Sequence, residues 1–219
     1  MKNYYVERYD KFWERQTKKY GISKYEKYLI HRIIKRNPEV VFEVGIGNGW
    51  PIGTALHAKG ITVHGCDVSP RLVASARKNL ECKDGIYAGE LKDCLLNREY
   101  PMVYCVRTSW YIVDFEDVLR HMISLTESGG SLIFDIMEFE SLYHLKYFIS
   151  RIALTIKGKM LKIIGIESDK TPPLNFYGRR AIEKVLMENQ VQFCSYQERC
   201  ITKSKDYWNT PKRVYICKK

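Results

Sequence analysis

The sequence has no long hydrophobic run, because none of its apolar stretches approaches the ~20 consecutive residues of a membrane span. We therefore expect no transmembrane segment. The first residues, Met1–Tyr5, lead directly into charged and aromatic sequence, without the apolar core and small-residue cleavage site of a secretory leader. These absences predict a cytoplasmic protein.

The sequence also lacks paired cysteine motifs. Its seven cysteines lie at positions 66, 82, 94, 105, 194, 200 and 217, and no two of them form a Cys-x-x-Cys clip. This odd and scattered set argues against a zinc site and against a disulfide framework. We expect no bound metal, and we expect reduced thiols that pack as small apolar side chains.

Excess positive charge is missing from the first part of the chain. Residues 1–140 contain 20 basic and 19 acidic residues, whereas 141–219 contain 16 basic and 6 acidic ones, so nearly all of the net charge of +11 is C-terminal. A uniformly basic domain would favour a nucleic-acid partner. The uneven distribution instead indicates one face or lid suited to an anionic partner, or else a solvated basic surface without a partner.

The composition is that of a globular chain. Its 219 residues are 45% hydrophobic and 28% charged, which supports a full core and excludes a disordered or collagen-like protein. Short apolar runs predict five buried strands: Val40–Val44, Ile61–Cys66, Gly85–Gly89, Met102–Val106 and Ser131–Ile136.

Helical patterns lie between these strands. One helix is expected to begin with Pro51 in its first turn and to end at Gly60. Ser69–Pro70 predicts the start of the next helix, and a third is expected over Phe115–Glu127, ended by Gly129–Gly130. Because strands and helices alternate with short connections, we expect a parallel sheet that is covered on both faces.

Further elements flank this alternating region. Two N-terminal helices are expected before Pro38, and a long basic and apolar segment covers 139–166. A helix over Gly178–Asn189 and strands over Val191–Ile201 and Arg213–Cys217 are expected to complete the chain.

A glycine-rich turn, Glu43–Gly49, follows the first strand. Its alternate glycines allow a ligand to approach the backbone, and the next helix N-terminus favours an anionic group. The dinucleotide fingerprint G-x-G-x-x-G does not fit, because Trp50 and Ile52 occupy its third glycine position in the two frames, and the phosphate-loop pattern is absent. Asp67 lies 22 residues after Gly45, at the end of the second strand, where a carboxylate can accept both hydroxyls of a ribose.

These motifs resemble those of the class I S-adenosylmethionine-dependent methyltransferases. Glu43–Gly49 is similar to the first motif of that family and Val63–Ser69 to the second. Gly89–Leu91 matches the place where the family carries Gly-Asp, and Ser128–Gly130 with the fifth strand matches its Pro-Gly-Gly region. The resemblance covers residues 38–136 and, more loosely, the last strands.

The resemblance implies an α/β fold with a Rossmann-like, seven-stranded, mostly parallel sheet that has helices on both faces. A single domain over 1–219 is expected. Its parts are an N-terminal helical cap (1–37), a cofactor-binding core (38–136), a helical insertion after the fifth strand that forms a substrate lid (139–177), and a C-terminal helix with the last two strands (178–219).

The cofactor implied by the resemblance is S-adenosylmethionine. The matching positions are Glu43, which would organise the loop; Gly45, Gly47, Asn48 and Gly49 at the methionine end; Asp67 on the ribose; Val68 on the adenine; Glu90 and Leu91 at the adenine edge; and Val106 and Arg107 near the transferable methyl group. The sequence departs from the family pattern at Glu90, Ser128 and Tyr111, where Asp, Pro and His are commoner. The departure at Tyr111 leaves the catalytic assignment open.

Aromatic residues near the N-terminus are candidates for contact with the sulfonium of the cofactor. Aromatic faces attract cations, and Tyr9 and Trp13 lie one helical turn apart. The alternative is that both residues pack an N-terminal helix against the sheet.

Candidate bases and substrate ligands follow from position and charge. Tyr111 and Asp135 follow strand ends and His144 begins the long basic segment, so these three are the candidate general bases, whereas His121 lies within a helix and is expected to be structural. Four arginines are candidates to bind a carboxylate or phosphate of the substrate: Arg107, Arg151, Arg179 and Arg180. The segment 139–166 is expected either to cover a hydrophobic or anionic substrate, including one at a membrane surface, or to pack as a helical hairpin.

The sequence thus predicts a methyltransferase that acts on oxygen or nitrogen of a small anionic metabolite, such as a sugar, lipid-linked or secondary-metabolite acceptor. The fourth-strand turn, Val106–Tyr111, lacks the Asp/Asn-Pro-Pro-Tyr/Phe motif of enzymes that methylate amino groups of DNA bases. Two alternatives stay open: an RNA or protein methyltransferase that docks through the basic third, and a cofactor-binding subunit without catalysis. The oligomeric state is also left open.

Overall fold

The structure is a computed structural model, and it describes residues 21–94, 98–138, 174–198 and 212–219, together with the single residues 149 and 200. Its helices are α1 (Lys24–Arg36), α2 (Ile52–His57), α3 (Pro70–Asn79), α4 (Phe115–Leu125) and α5 (Arg179–Glu188). Short 3-10 turns cover Leu91–Asp93 and Ser109–Tyr111. Its strands are β1 (Val40–Val44), β2 (Thr62–Asp67), β3 (Ile86–Ala88), β4 (Tyr100–Cys105), β5 (Thr126–Met137), β6 (Gln192–Gln197) and β7 (Lys212–Lys218).

The strands form one seven-stranded sheet in the order β3-β2-β1-β4-β5-β7-β6. β7 is antiparallel to both β5 and β6, and the other pairs are parallel. The predicted seven-stranded, mostly parallel sheet is therefore confirmed. The strand order changes direction between β1 and β4, and ligands of open α/β sheets bind at the carboxyl ends of the strands beside such a point.

Helices cover both faces of the sheet, as predicted. Each face carries its own apolar cluster, which the apolar stripes of the helices complete. On one face α4 and α5 contribute Phe115, Leu119, Met122, Ile182, Val185 and Leu186. On the other face α1, α2 and α3 contribute Tyr25, Leu29, Ile33, Leu56, Val73 and Ala76.

Local capping explains where two of these helices begin. Ser23 and Glu26 form a capping box at the start of α1, in which the Glu26 backbone N–H donates to Ser23 Oγ (3.2 Å) and the Ser23 N–H donates to Glu26 Oε2 (2.7 Å). At α3 the predicted cap is confirmed, because Ser69 Oγ accepts from the N–H of Leu72 and Pro70 is the first helical residue.

Several predicted boundaries were wrong. α4 ends at Leu125 and not at the two glycines, because Thr126 already starts β5, which continues through Gly129–Gly130. α2 begins after Pro51, which occupies its N-cap position. β6 is shorter than its predicted range, Val191–Ile201.

Part of the predicted organisation lies outside the described residues. This applies to the first N-terminal helix of the expected cap and to nearly all of the expected insertion. It applies also to four predicted site residues: Tyr9, Trp13, His144 and Arg151.

Candidate active site

The turn after β1 is attached to the end of β2. The backbone N–H groups of Gly45 and Ile46 both donate to the carbonyl of Cys66, at 2.8 and 3.0 Å. The glycine-rich loop therefore begins directly beside the end of β2, where Asp67 is located. Two predicted cofactor-binding segments, separated by about twenty residues in sequence, are neighbours in the fold.

Asp67 joins three backbone segments through its side chain and its backbone carbonyl. Its Oδ2 accepts from the N–H of Gly47 and its Oδ1 accepts from the N–H of Ser69, both at 2.9 Å. Its backbone carbonyl accepts from the N–H of Gly89, also at 2.9 Å. The two backbone donors therefore fix the orientation of the Asp67 side chain.

The loop leaves room for a ligand at Gly47. This residue has a φ of +56°, and a Cβ built on it would meet no atom within 4 Å. Val68 directly follows Asp67, and its apolar side chain is 48% exposed. The loop therefore has open space beside its backbone at Gly47, and an exposed apolar side chain follows the acid at the end of β2.

Gly45 has a different function, because it permits close packing. Its φ is +77°, and a Cβ there would lie 2.2 Å from Thr108 Cγ2. The Thr108 hydroxyl donates to the Gly45 carbonyl at 3.4 Å. The glycine thus brings the loop after β1 against the loop after β4. Gly49 likewise faces Leu80, with its built Cβ at 3.0 Å from that side chain.

Asn48 lies on the surface side of the same loop. Its Oδ1 accepts from the N–H of Trp50 at 3.1 Å, and its carbonyl accepts from the Asn79 amide at 3.0 Å. These bonds connect the loop to the end of α3. Asn48 therefore stabilises the shape of the turn within the protein itself.

Glu43 lies beneath the loop and is buried. Burial raises the pKa of its carboxyl group to about 8, although the hydrogen bond from the Tyr104 hydroxyl opposes this increase. The Tyr104 oxygen lies 2.8 Å from Glu43 Oε2. The carboxyl group is therefore mostly protonated at neutral pH, and it adds little negative charge beneath the loop.

Glu90 and Leu91 follow β3 on the far side of Asp67. Leu91 is buried in the apolar cluster beneath the sheet edge. Glu90 is partly exposed and its Oε2 lies 3.0 Å from the Lys92 ammonium. The structure therefore presents a carboxylate and a buried leucine at the edge that the resemblance assigns to adenine.

The turn after β4 contains Val106, which is buried, and Arg107, which has a left-handed backbone with φ of +60°. The Arg107 N–H donates to Asp135 Oδ1 at 2.8 Å. Its guanidinium donates to Glu26 Oε1 at 2.6 Å. The left-handed backbone of Arg107 is thus stabilised by Asp135 of β5 and its side chain by Glu26 of α1.

Asp135 is fully buried and has a second donor. The Tyr25 hydroxyl lies 3.1 Å from its Oδ2. Burial raises the pKa of Asp135 to about 7, against the opposing effects of Lys212 and the Arg107 N–H. Both carboxylate oxygens of Asp135 accept hydrogen bonds from the protein, Oδ1 from the Arg107 N–H and Oδ2 from the Tyr25 hydroxyl.

Lys212, on β7, is a further charged residue near Asp135. Burial lowers its pKa, whereas the neighbouring Glu198 and Asp135 act in the opposite direction. The ammonium lies 3.6 Å from Glu198 Oε2 and 4.7 Å from the centre of the Trp110 ring. A buried cation thus lies beside the ends of β4 and β5.

Tyr111 is half-buried at the end of the 3-10 turn after β4, with its ring centre 6.1 Å from that of Trp110. Asn175 and Tyr177 attach the following chain to this turn, through the bond from the Asn175 N–H to the Trp110 carbonyl (2.7 Å) and from the Tyr177 hydroxyl to the Ser109 carbonyl (3.1 Å). His121 lies on the exposed side of α4 near Asp117.

Two of the four predicted substrate arginines lie at the start of α5. Arg179 and Arg180 are both exposed, and Arg179 Nε lies 2.7 Å from Glu183 Oε1. They follow Tyr177, whose N–H donates to the Met137 carbonyl at the end of β5. They therefore lie near the end of β5, the strand that carries Asp135.

Sequence reasoning did not identify several residues that shape this site. Tyr104, Thr108 and Lys212 carry no local signal, because only the pairing of distant strands brings them to it. Glu26 could have been noticed, because Ser23 and Glu26 have the Ser-x-x-Glu spacing of a capping box. Among the helices that the structure describes, none is both long enough and apolar enough to cross a lipid bilayer.

Comparison with known proteins agrees with the motifs. Residues 42–134 match the family model described as "Methyltransferase domain". A search of curated protein sequences finds no match.

Solved structures with low sequence identity share the fold. A methyltransferase from Clostridium acetobutylicum is 16% identical with a TM-score of 0.63, and the match covers 96% of this chain and 98% of that one. A TehB-like methyltransferase from Corynebacterium glutamicum is 13% identical with a TM-score of 0.64, covering 99% and 100%.

A third solved structure contains the cofactor. The amino pentose methyltransferase of calicheamicin biosynthesis from Micromonospora echinaspora, solved with bound S-adenosylmethionine, is 13% identical with a TM-score of 0.63, covering 94% and 96%. The family match, the ordered motifs and the seven-stranded sheet agree: residues 42–134 carry a methyltransferase domain, which supports an enzyme with S-adenosylmethionine as its cofactor.

Proposed function

We propose that this enzyme transfers a methyl group to an oxygen or nitrogen atom of a small anionic metabolite. The observation that carries the proposal is the uneven charge, with 16 basic and 6 acidic residues in 141–219. Exposed Arg179 and Arg180 lie in this basic part and near the carboxyl ends of the strands. The Micromonospora neighbour is an amino pentose methyltransferase, and this supports a small acceptor.

The cofactor supplies a methyl group on a positively charged sulfur, which is open to in-line displacement. We propose that Asp67 accepts the ribose hydroxyls, since its carboxylate is already oriented by Gly47 and Ser69. Val68 packs on the adenine, and Glu90 and Leu91 border its edge. Asn48 and the three glycines of the loop contact the methionine end with their backbone.

We propose that the Arg107 turn sets the position of the methyl acceptor. Holding reacting groups within about 3–3.5 Å and in line is the main contribution that such an enzyme makes. Arg107 is fixed by Asp135 and Glu26, so the backbone of this turn forms a rigid wall on that side. Arg107 is paired with the buried Glu26, whereas Arg179 and Arg180 are exposed at the start of α5.

Among the candidate bases we favour Tyr111. Asp135 is fully buried and both of its oxygens accept hydrogen bonds, so we assign it to positioning the Arg107 turn. Tyr111 is partly exposed at the same edge, where a tyrosine can exchange a proton with a bound acceptor. His144 stays a prediction outside the described residues, as do Tyr9 and Trp13 for the cofactor and Arg151 for the substrate.

The first experiment measures binding and turnover separately. Calorimetry with S-adenosylhomocysteine measures cofactor binding, and release of S-adenosylhomocysteine is followed across a panel of phosphorylated, carboxylated and neutral acceptors. We expect turnover with anionic members of the panel and weaker activity with their neutral analogues. Binding without turnover on any acceptor would instead favour the subunit without catalysis.

The second experiment tests the arginines. Arg179→Ala and Arg180→Ala should each raise KM for an anionic acceptor by about tenfold, the value of one charge-assisted hydrogen bond, with little change in affinity for S-adenosylhomocysteine. Arg36→Ala is the matched control, because Arg36 is exposed at the end of α1, on the amino side of β1. Unchanged KM values would contradict an anionic acceptor at this position.

A salt titration distinguishes the remaining alternative. If the basic third bound RNA, affinity would fall steeply with salt, by an amount set by the number of phosphates contacted. We expect no such binding at moderate salt. RNA methylation with a steep salt dependence would overturn the proposed small acceptor while leaving the cofactor assignment intact.

A further inference from the structure

The helices on the two faces of the sheet differ in charge. α1, α2 and α3 share one apolar cluster and cover one face. Together they contain eight lysines and arginines and a single acid, Glu26, which is buried. α4 and α5, on the other face, contain four charged residues of each sign. Residues 1–140 are nearly neutral in sequence, so only the fold reveals that one face is strongly basic.

The cations on this side are exposed. In α1, Lys24, Lys27 and Lys35 recur at helical spacing, with exposed His31 between them, and so form one stripe along the helix. Lys59 lies just beyond the end of α2. We define the basic face by the eight exposed cations of α1, of α3 and of this position: Lys24, Lys27, Lys35, Arg36, Lys59, Arg71, Arg77 and Lys78.

The acids closest to these helices in sequence lie beyond their ends. Exposed Glu39 follows α1 just before β1, and exposed Glu81 follows α3, so both are at the amino edge of the sheet. On α4 and α5, by contrast, acids pair with the cations, because the Glu188 carboxylate lies 3.7 Å from both Arg120 and Lys184. The charge of the basic face is therefore not balanced within its own helices.

The extent of the basic face fits a planar anionic surface. α1 has 13 residues and is about 20 Å long, and helices packed side by side at about 8–10 Å make the face about as wide. A single nucleic-acid strand would instead follow a line of cations with aromatic rings for base stacking. The aromatic residues of these three helices are Tyr25, which is buried, and Tyr28, which is half-buried.

An exposed tryptophan borders the basic face. Trp50 is 43% exposed and directly precedes Pro51, the N-cap residue of α2. It also follows the glycine-rich loop, and it therefore lies at the carboxyl edge of the sheet. Tryptophan is enriched at membrane–water interfaces, because its ring is apolar and its N–H is polar.

We propose that the basic face docks this enzyme on a lipid bilayer that carries anionic headgroups. Its lysines and arginines are attracted to the negative membrane surface, and Trp50 inserts at the level of the headgroups. The charge complementarity comes from the fold, since it depends on three helices that pack side by side on one sheet face.

The docked face borders the active site. At the start of α1, Tyr25 bonds to Asp135 and Glu26 bonds to Arg107. Docking therefore places the carboxyl ends of β4 and β5 next to the headgroups, which suits a lipid-linked acceptor. This consequence rests on the proposed transfer to a small anionic acceptor, whereas docking itself does not.

The test measures sedimentation of the full chain with sucrose-loaded vesicles. Vesicles of equimolar phosphatidylcholine and phosphatidylglycerol are compared with vesicles of phosphatidylcholine alone, at low and at physiological salt. We expect binding to the anionic vesicles only. This binding should weaken as salt rises, because ions screen exposed charges.

A combined variant removes charge from the basic face: Lys24→Gln, Lys27→Gln, Lys35→Gln and Lys78→Gln. Each lysine near an anionic membrane contributes roughly fivefold to the partition coefficient, so this variant should bind about a hundredfold more weakly or worse. The matched control removes four exposed cations outside the basic face: Arg98→Gln, Arg120→Gln, Lys184→Gln and Lys218→Gln. It loses the same net charge and should bind nearly as the wild type does.

A second pair of variants tests the tryptophan. Trp50→Ala should weaken binding to anionic vesicles severalfold, and Val113→Ala should not, because Val113 is an 87% exposed apolar residue outside the basic face. Calorimetry with S-adenosylhomocysteine verifies that each variant is folded. If one fails to fold, the wild type on anionic and neutral vesicles still decides the question.

Three outcomes would overturn the proposal. The first is wild-type protein that does not sediment with anionic vesicles at low salt. The second is an equal loss of binding in the two combined variants, which would assign the effect to net charge. The third is binding of poly-uridylate RNA through the same lysines without vesicle binding, which would assign the face to nucleic acid. The cofactor residues are tested separately by calorimetry, and the proposed acceptor by turnover.

Discussion

The Tyr104 hydroxyl donates a 2.8 Å hydrogen bond to Glu43 Oε2, and these two residues are register partners on the neighbouring strands β1 and β4. The pair lies directly beneath the glycine-rich loop, because Glu43 is followed within two residues by Gly45. A protonated carboxyl group and a phenol thus support the loop without placing a full negative charge there.

The Glu43 pair predicts a pH dependence of stability. Burial raises the pKa of Glu43 from 4.5 to about 8, so the folded state holds a proton that the unfolded state releases. The resulting stabilisation is complete below about pH 4.5 and is lost as the pH rises through about 8, with a slope of up to about 1.4 kcal/mol per pH unit. Urea unfolding across this range should show a shallower slope for Glu43→Gln than for the wild type.

The control for this measurement is Glu39→Gln, since Glu39 is exposed just before β1. Asp135, whose pKa burial raises to about 7, adds to the wild-type slope and should persist in Glu43→Gln. Identical slopes for Glu43→Gln and the wild type would contradict a protonated Glu43 in the folded protein.

Gly45 and Gly60 provide a matched pair for testing close packing. Their φ angles are +77° and +78°, but a Cβ at Gly45 would lie 2.2 Å from Thr108, whereas a Cβ at Gly60 would meet nothing within 4 Å. Gly60→Ala should lose only the ~1–2 kcal/mol of left-handed strain. Gly45→Ala should lose about 1–3 kcal/mol more, because Thr108 must move.

Chemical denaturation of both alanine variants measures this difference. Gly45→Ala should also weaken binding of S-adenosylhomocysteine, while Gly60→Ala should not. Equal loss of stability in the two variants would show that Thr108 yields without cost.

Asp67 is the best single residue for testing the cofactor assignment. Asp67→Ala should weaken S-adenosylhomocysteine binding by about 1–3 kcal/mol, because it removes a charged acceptor for the ribose. Asp84→Ala is the control, because Asp84 is an exposed acid just before β3, the strand that is next to β2 in the sheet. Calorimetry with both variants checks the expectation.

The loss of the bonds to Gly47 and Ser69 complicates Asp67→Ala, and Asp67→Asn separates the two effects. Asparagine retains one acceptor oxygen and should preserve more of the loop. An Asp67→Ala variant with unchanged affinity would contradict the ribose role.

Tyr25 tests the support of the Arg107 turn. Tyr25→Phe removes the hydroxyl that lies 3.1 Å from Asp135 Oδ2 and leaves that buried oxygen without this donor. We expect a loss of about 1–3 kcal/mol in the free energy of unfolding. Tyr28→Phe is the control, because Tyr28 lies three residues later in α1 and is only half-buried. Its free energy of unfolding should fall much less.

Activity measurements extend this prediction. If Asp135 positions the Arg107 turn, Tyr25→Phe should lower kcat more than it changes the affinity for S-adenosylhomocysteine. A variant with wild-type kcat and lower stability would restrict Tyr25 to a structural role.

Much of the fold could be predicted because its signals are local. A short β-branched run such as Val40–Val44 has to be buried, and Ser69–Pro70 satisfies the first turn of a helix whatever surrounds it. The end of α4 was predicted wrongly because two glycines suggested a helix stop. Pairing of Thr126 with Tyr100 on β4 instead continues β5 through those glycines.

The candidate site divides in the same way. The acid Asp67 and the glycine turn could be found from residue type and spacing, and the structure brings them into hydrogen-bond contact. Lys212 and Asp135 could not be associated, since they lie on strands distant in sequence, and their burial depends on the antiparallel pairing of β5 with β7.

By itself, the sequence determined the class of fold and the cofactor and predicted the loop that would receive it, because each depends on short motifs whose chemistry is complete within a few residues. Only the tertiary structure decided which side chains support that loop: Tyr104 under Glu43, Thr108 against Gly45, and Tyr25 with Asp135 beneath Arg107. The physical reason is that protonation, close packing and hydrogen bonding depend on burial, and burial arises only when distant strands and helices pack together.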